Sequence, residues 1–156
     1  MSEWFSGSGK RVEFKEILNF VVQHSNKDGI IYVGCDSFIQ KNDCTFSTAI
    51  CLCNAENQIG GRYFIKRTKF EASKFKTLIQ RITAEVQDSI STGMKLLEYH
   101  PQAKIELHLD VSSADRGTKT SKFADMMIGY AKGSGFDCKV KPQAFAASSV
   151  ADKHSK

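Results

Sequence analysis

Asp36 and Asp110 are the residues from which chemistry can be read first. Each closes a run of core-type residues, "IIYVGC" before Asp36 and "KIELHL" before Asp110. A carboxylate is costly to bury unless something pairs with it. Either each strand surfaces there, so that the acid faces water or caps a turn, or the acid is held for a purpose. Two further acids bear on the choice. At roughly 100° per residue, Glu85 lies about 60° from Ile82 and borders the apolar stripe of its helix, whereas Asp88 falls about 120° away and is expected to be more exposed. Asp152 follows Ser148 and Ser149, either of which suits the cap of a short C-terminal helix. Three or four carboxylates converging from separate elements cannot all stay ionised without cations. Hard oxygen ligands of this kind suit Mg²⁺ or Mn²⁺. Two such ions roughly 3.5 to 4 Å apart clamp a phosphodiester, one activating water and the other meeting the leaving oxygen.

The basic residues point the same way. Residues 61–81 hold Arg62, Lys66, Arg67, Lys69, Lys74, Lys76 and Arg81 against the single acid Glu71. Such a stretch suits a polyanion partner, or is simply a solvated face. Lys119, Thr120 and Lys122 sit where a helix starts, a place suited to phosphate oxygens. Lys141, before Pro142, is a phosphate contact or an edge charge in water. His108 shares a strand face with Asp110 and either orients a water or carboxylate there or is a satisfied, half-buried histidine. Ser37 bonds a phosphate or its own turn. His154 near Asp152 is a proton-transfer candidate or an exposed terminal side chain. "GSG" at Gly7 to Gly9 lacks the lysine and strand context of a phosphate loop.

Positioning these groups requires a particular series of elements. Val12 to His24 carries the helical stripe Phe14, Ile17, Leu18, Val21 and Val22. The strand ending in Asp36 follows. Cys44 to Cys53 alternates, "NAENQIGG" turns the chain, and Gly61 to Arg67 alternates again, which predicts an antiparallel meander of three strands. Glu71 to Tyr99 reads as a long helix with Phe75, Leu78, Ile79, Ile82, Val86, Ile90, Met94 and Leu97 on its stripe, stopped by Pro101. "KIELHLDV" is the fourth strand. The loop "SSADRGTKTS" leads to a helix carrying Phe123, Met126, Met127 and Tyr130 and ending at Gly133. Phe136 to Lys141 is a fifth strand. Trp4 and Phe5 read as a packing anchor for the N-terminal arm. Three consecutive strands, then alternating helices and strands, predict an α/β domain with a mixed sheet covered by helices.

Bulk properties agree. The chain has 156 residues, 41% hydrophobic and 25% charged, with two prolines and a net charge of +5. It is long enough for one domain that buries about 70% of its unfolded surface. No apolar run approaches bilayer length and the N-terminus lacks a signal-peptide core, so a cytoplasmic protein with no membrane partner is expected. The five cysteines are odd in number, lie mostly inside apolar strand patterns and lack zinc-ligand spacing. They read as buried thiols without disulfides.

The stretches "VGCDSF", "RITAEVQDS", "HLDV" and "KPQAFAASSVADKHSK" resemble the YkuK-like, ribonuclease H-related family of predicted nucleases, from about Phe5 to Lys156. The closing "KPxAFxASSxA" pattern is its most specific part. The resemblance implies a single ribonuclease H-like domain over residues 1–156, a mixed five-stranded sheet flanked by helices, with an N-terminal helix at about residues 12–25. It implies that Asp36, Glu85 and Asp110 form a catalytic metal site for two Mg²⁺ or Mn²⁺ ions, with Asp152 as a fourth member whose place Asn takes in some relatives. The implied activity is hydrolysis of RNA or DNA phosphodiesters. Arg62, Lys66, Arg67, Lys69, Lys119, Lys122 and Lys141 are the candidate contacts to the nucleic acid, with His108 and Ser37 as accessories. Proofreading-type exonucleases carry a second acid two residues after the first, and Phe38 stands there. From another class, a nucleic-acid-binding module that keeps the fold without metal chemistry accounts for the same features.

Overall fold

The computed structural model describes residues 3–53, 61–112, 117 and 119–151, with the side chains of 147–149 left aside. Residues 54–60 of "NAENQIGG", half of "SSADRGTKTS", Asp152 and His154 lie outside the described residues.

The strands are β1 (Trp4–Ser6), β2 (Arg11–Val12), β3 (Ile30–Gln40), β4 (Asp43–Cys53), β5 (Arg62–Glu71), β6 (Lys104–Ser112) and β7 (Asp137–Lys141). The helices are α1 (Phe14–Ser25), α2 (Leu78–Tyr99) and α3 (Ala124–Gly133). One sheet runs in the order β2-β1-β5-β4-β3-β6-β7. β3, β4 and β5 form the antiparallel meander, while β6 and β7 are parallel to β3 and to each other. Those five strands are the expected mixed sheet. The sheet has seven, because the N-terminal arm is a small hairpin in which Trp4 pairs with Val12 on one side and Lys66 of β5 on the other. Trp4 is buried there, so the anchor is a strand.

Period-two alternation divides the sheet into two faces. Ile31 and Val33 of β3, Ile50 and Leu52 of β4, Phe64 of β5, and Leu107, Leu109 and Val111 of β6 join the helices in the main core. Each fully buried aliphatic side chain there contributes about 1.5 to 3 kcal/mol. The opposite face carries a smaller cluster, Tyr32, Ala49, Cys51 and Ile65, covered by a turn of π-helix at Ala146–Ala151. That turn stands where a capped C-terminal α-helix was expected.

α2 begins at Leu78, not at Glu71. Glu71 still belongs to β5, Ala72–Lys74 is a 3₁₀ turn, and a capping box between Thr77 and Gln80 starts the helix. Phe75 therefore leaves the helical stripe and packs against Phe46 and Phe70. Met94 is 53% exposed and Leu96 is buried in its place. Gly93 faces the Phe136 ring so closely that a Cβ would come within 2.9 Å of it. That approach offsets the roughly 1 kcal/mol cost of a mid-helix glycine and beds α2 on the sheet. On α3 the buried residues are Ala124, Met127 and Ala131, whereas Met126 and Tyr130 point outward. All five cysteines are free thiols. Among the described residues, no helix is long and apolar enough to cross a membrane.

Candidate metal centre

β3 and β6 run side by side from Ile30 opposite Lys104 to Gly34 opposite His108, and their pairing then stops. Beyond that point β3 continues against β4 alone, and β6 meets β7 through an irregular stretch between His108 and Ser112. Asp36 and Asp110 each lie two residues past the last pair. Asp36 thus sits inside an eleven-residue strand, not at its end; what ends before it is the parallel ladder. By alternation both acids are on the face opposite the helices. Ser37 is on the helix face, where α2 brings Glu85.

The three carboxylates meet in this opening. Asp36, Glu85 and Asp110 offer oxygens that all lie within 4.8 Å of one another. Asp36 and Glu85 are buried, and Asp110 is half-buried. At an effective dielectric near 20, two charges at this spacing repel by roughly 3 to 4 kcal/mol. The response is visible in Glu85. Burial, reinforced by the Asp110 charge, pushes its carboxyl up to about 8, although bonds from Ser37 and the nearby Arg81 guanidinium pull it back. The Ser37 hydroxyl donates to Glu85 Oε2 at 2.5 Å.

Lys141 supplies the balancing charge. Its Nζ stands 2.7 Å from Asp110 Oδ1. Burial opposes charging of this lysine, but the hydrogen bond to Asp110 and the charges of Asp110, Asp36 and Glu85 outweigh it, and its pKa is raised. An ammonium drawn onto three clustered carboxylates marks the place as one that holds positive charge. The donor set, three hard carboxylates of which one is partly neutralised by a proton, suits Mg²⁺ or Mn²⁺.

The other candidate residues divide among several places. His108 is 1% exposed, between the rings of Tyr32 and Phe145. The Ala146 N–H donates to its Nδ1 at 3.1 Å, so Nε2 carries the proton and donates to Glu106 Oε1 at 3.0 Å. Burial lowers its pKa despite the Glu106 charge. Nδ1 thus ties the C-terminal turn to β6, while Nε2 is held by a neighbour on the same strand. Arg62 and Lys66 lie on the helix face: Arg62 over the Phe20 ring at 4.1 Å, and Lys66 beside Trp4 and 3.8 Å from Asp88. Arg67 and Lys69 take the opposite face, which is that of Asp36, and Arg67 pairs in register with Ser47, itself opposite Asp36. The basic stretch is therefore split by strand alternation. Lys119 and Lys122 are exposed at the approach to α3. Asp152 lies outside the described residues.

Three contributors were not singled out as site groups from the sequence. Arg81 stands one helical turn before Glu85, a spacing legible in principle. Ser47 is fully buried beside Asp36, and its Oγ has no partner among the described residues. Asp88 accepts the Thr48 hydroxyl and is half-buried, more exposed than Glu85 as expected.

A family model described as ribonuclease H-like matches residues 13–156. No curated protein and no solved structure matches the chain.

Proposed function

We propose that this chain, which belongs to the ribonuclease H-like family, is a divalent-metal-dependent nuclease that hydrolyses phosphodiester bonds of RNA or DNA. The observation that carries the reading is the convergence of Asp36, Glu85 and Asp110 within 4.8 Å. Asp36 and Asp110 would hold the ions from the two strands, with Glu85 completing the set from α2. Mg²⁺ or Mn²⁺ bound there, as two ions, would supply a nucleophilic water near neutral pH and charge opposite the leaving oxygen. Ser37 fixes one oxygen of Glu85 and so orients that carboxylate. Lys141 neutralises the cluster before metal arrives and is then available to a phosphate oxygen. Arg67 and Lys69, on the face of Asp36, are placed to hold the backbone on either side of the cut. Asp152 is proposed as a fourth, less demanding ligand.

A second reading has its own support. The Lys141 ammonium already sits on Asp110, as in a nucleic-acid-binding module that never takes metal. Calorimetric titration with Mg²⁺ and Mn²⁺ separates the two: binding to the wild type that Asp36→Asn abolishes supports the nuclease, and no binding supports the module. The direct test incubates wild type and Asp36→Asn with single-stranded, hybrid and branched nucleic acids under each metal. Cleavage by the wild type alone is expected. Equal cleavage by both proteins would overturn the reading.

A further inference from the structure

Between α2 and the strands β4 and β5 lies an open groove of about 620 Å³. Its apolar wall is an aromatic trio. Phe46 is buried, Phe70 and Phe75 are half-buried, and their ring centroids lie 5.1 to 6.0 Å apart. The Lys74 ammonium stands 4.8 Å from the centre of the Phe70 ring. Lys66 and Asp88 line the groove too, paired with each other at 3.8 Å. That pairing leaves Lys74 as the uncompensated charge among the lining residues.

The groove lies on the helix face, the side from which α2 brings Glu85 to the metal centre. Phe46 is the cross-strand partner of Ser37, the residue that bonds Glu85. Ala84, next to Glu85 in the chain, lines the same wall. β5 stands two strands from β3 in the sheet, roughly 10 Å away at the usual strand spacing.

Half-exposed aromatic faces with a lysine over them suit nucleobases, because every base has a face to stack and every linkage carries an anion. Bases inside a duplex have both faces covered. We infer that this groove receives unpaired nucleobases of a single strand, stacked on Phe70 and Phe75, with a backbone phosphate at Lys74. The inference deepens the nuclease reading and rests on it for its biological sense. Its test needs no cleavage.

Binding is measured without divalent metal, using a short single-stranded oligonucleotide carrying 2-aminopurine and a blunt duplex of the same sequence. Phe75→Leu keeps apolar volume but removes the ring, and is expected to weaken the single strand roughly tenfold, the effect of losing one stacked base, with the duplex unchanged. Phe75→Trp should preserve binding. Lys74→Glu, an exposed change that leaves the core alone, should also weaken the single strand. Unaltered single-strand affinity in both Phe75→Leu and Lys74→Glu, or an equal fall for strand and duplex, overturns the inference. So does a groove whose Phe75→Leu variant loses an amphipathic apolar peptide while the oligonucleotide is unaffected. A wild type that binds as expected but cuts nothing under any metal overturns the nuclease reading and leaves this one standing.

Discussion

The Lys141 ammonium and the Asp110 carboxylate lie 2.7 Å apart, joining the last strand of the sheet to the carboxylate cluster. Their contact makes β7 part of the site. Removing it exposes the repulsion it hides. Lys141→Met should destabilise the metal-free protein by about 1 to 2 kcal/mol, at the low end for a charge-assisted bond because the lysine is more than a third exposed. Added Mg²⁺ should then raise the variant's Tm more than the wild type's. Differential scanning calorimetry with and without Mg²⁺ checks this, and equal metal-induced shifts would show that Lys141 does not stand in for a cation.

The raised Glu85 carboxyl gives a pH dependence with a definite sign. Its pKa is about 8 in the folded chain and about 4.3 when unfolded. Between those values the folded state binds more protons than the unfolded one. Stability of the metal-free protein therefore falls as pH rises from about 4.5 to about 8. Glu85→Gln, which keeps an acceptor for Ser37, should flatten that fall and be the more stable protein at pH 9, by a few kcal/mol at most. Chemical denaturation at several pH values in chelator provides the measurement. A variant with the wild-type pH profile would place the proton elsewhere.

Asp36→Asn and Asp152→Asn should rank differently. The first removes a buried charge from the centre and is expected to bring cleavage to background. The second puts Asn where some relatives of the resembled family carry it, with an amide oxygen able to coordinate, and a loss of roughly tenfold is expected. Truncation after Ala147 is the poorer test, because Ala151 is fully buried against the Tyr32 cluster and its removal strips that face as well. Cleavage rates of the two point variants decide the matter, and equal rates would show that the two acids do not differ in rank.

His108→Phe keeps a ring between Tyr32 and Phe145 but deletes both hydrogen bonds. It leaves the buried Ala146 N–H without its acceptor, at a cost of about 1 to 3 kcal/mol. The expected signature is faster hydrogen exchange at the Ala146 amide, with Mg²⁺ affinity nearly intact. A large loss of metal affinity would instead give His108 a direct part in the centre.

Much of this was legible along the chain, and for physical reasons. β4 and β6 announce themselves because alternation of apolar and polar residues depends only on the strand's own two faces. Asp36 and Asp110 stand out because a carboxylate after a core run is costly in any fold. What escaped depends on distant partners. Phe75 falls at helical spacing before Leu78 and Ile79, yet it belongs to an aromatic group completed by Phe46 and Phe70, and Thr77-to-Gln80 capping was the local signal that α2 starts later. Met126 and Tyr130 outweigh Ala124 and Ala131 in any apolar pattern, although it is the alanines that fit against the sheet. The Lys141–Asp110 contact needs the parallel pairing of β6 and β7 and the irregularity between His108 and Ser112, neither of which leaves a trace in the two segments alone.

The N-terminal hairpin has a bearing on the edge of the sheet. β1 pairs with β5 only from Phe64 to Lys66, so the arm stops short of residues 67–71, and a strand edge is where another chain could zip. Arg67, Lys69 and Glu71 there are exposed on one face of the strand, and desolvating them would penalise any strand arriving alongside. The short arm shields the apolar end of the edge and the charges guard the remainder. Nicking the arm away by limited proteolysis would thus open that end to a second chain, seen first as increased light scattering and only later as lost folding.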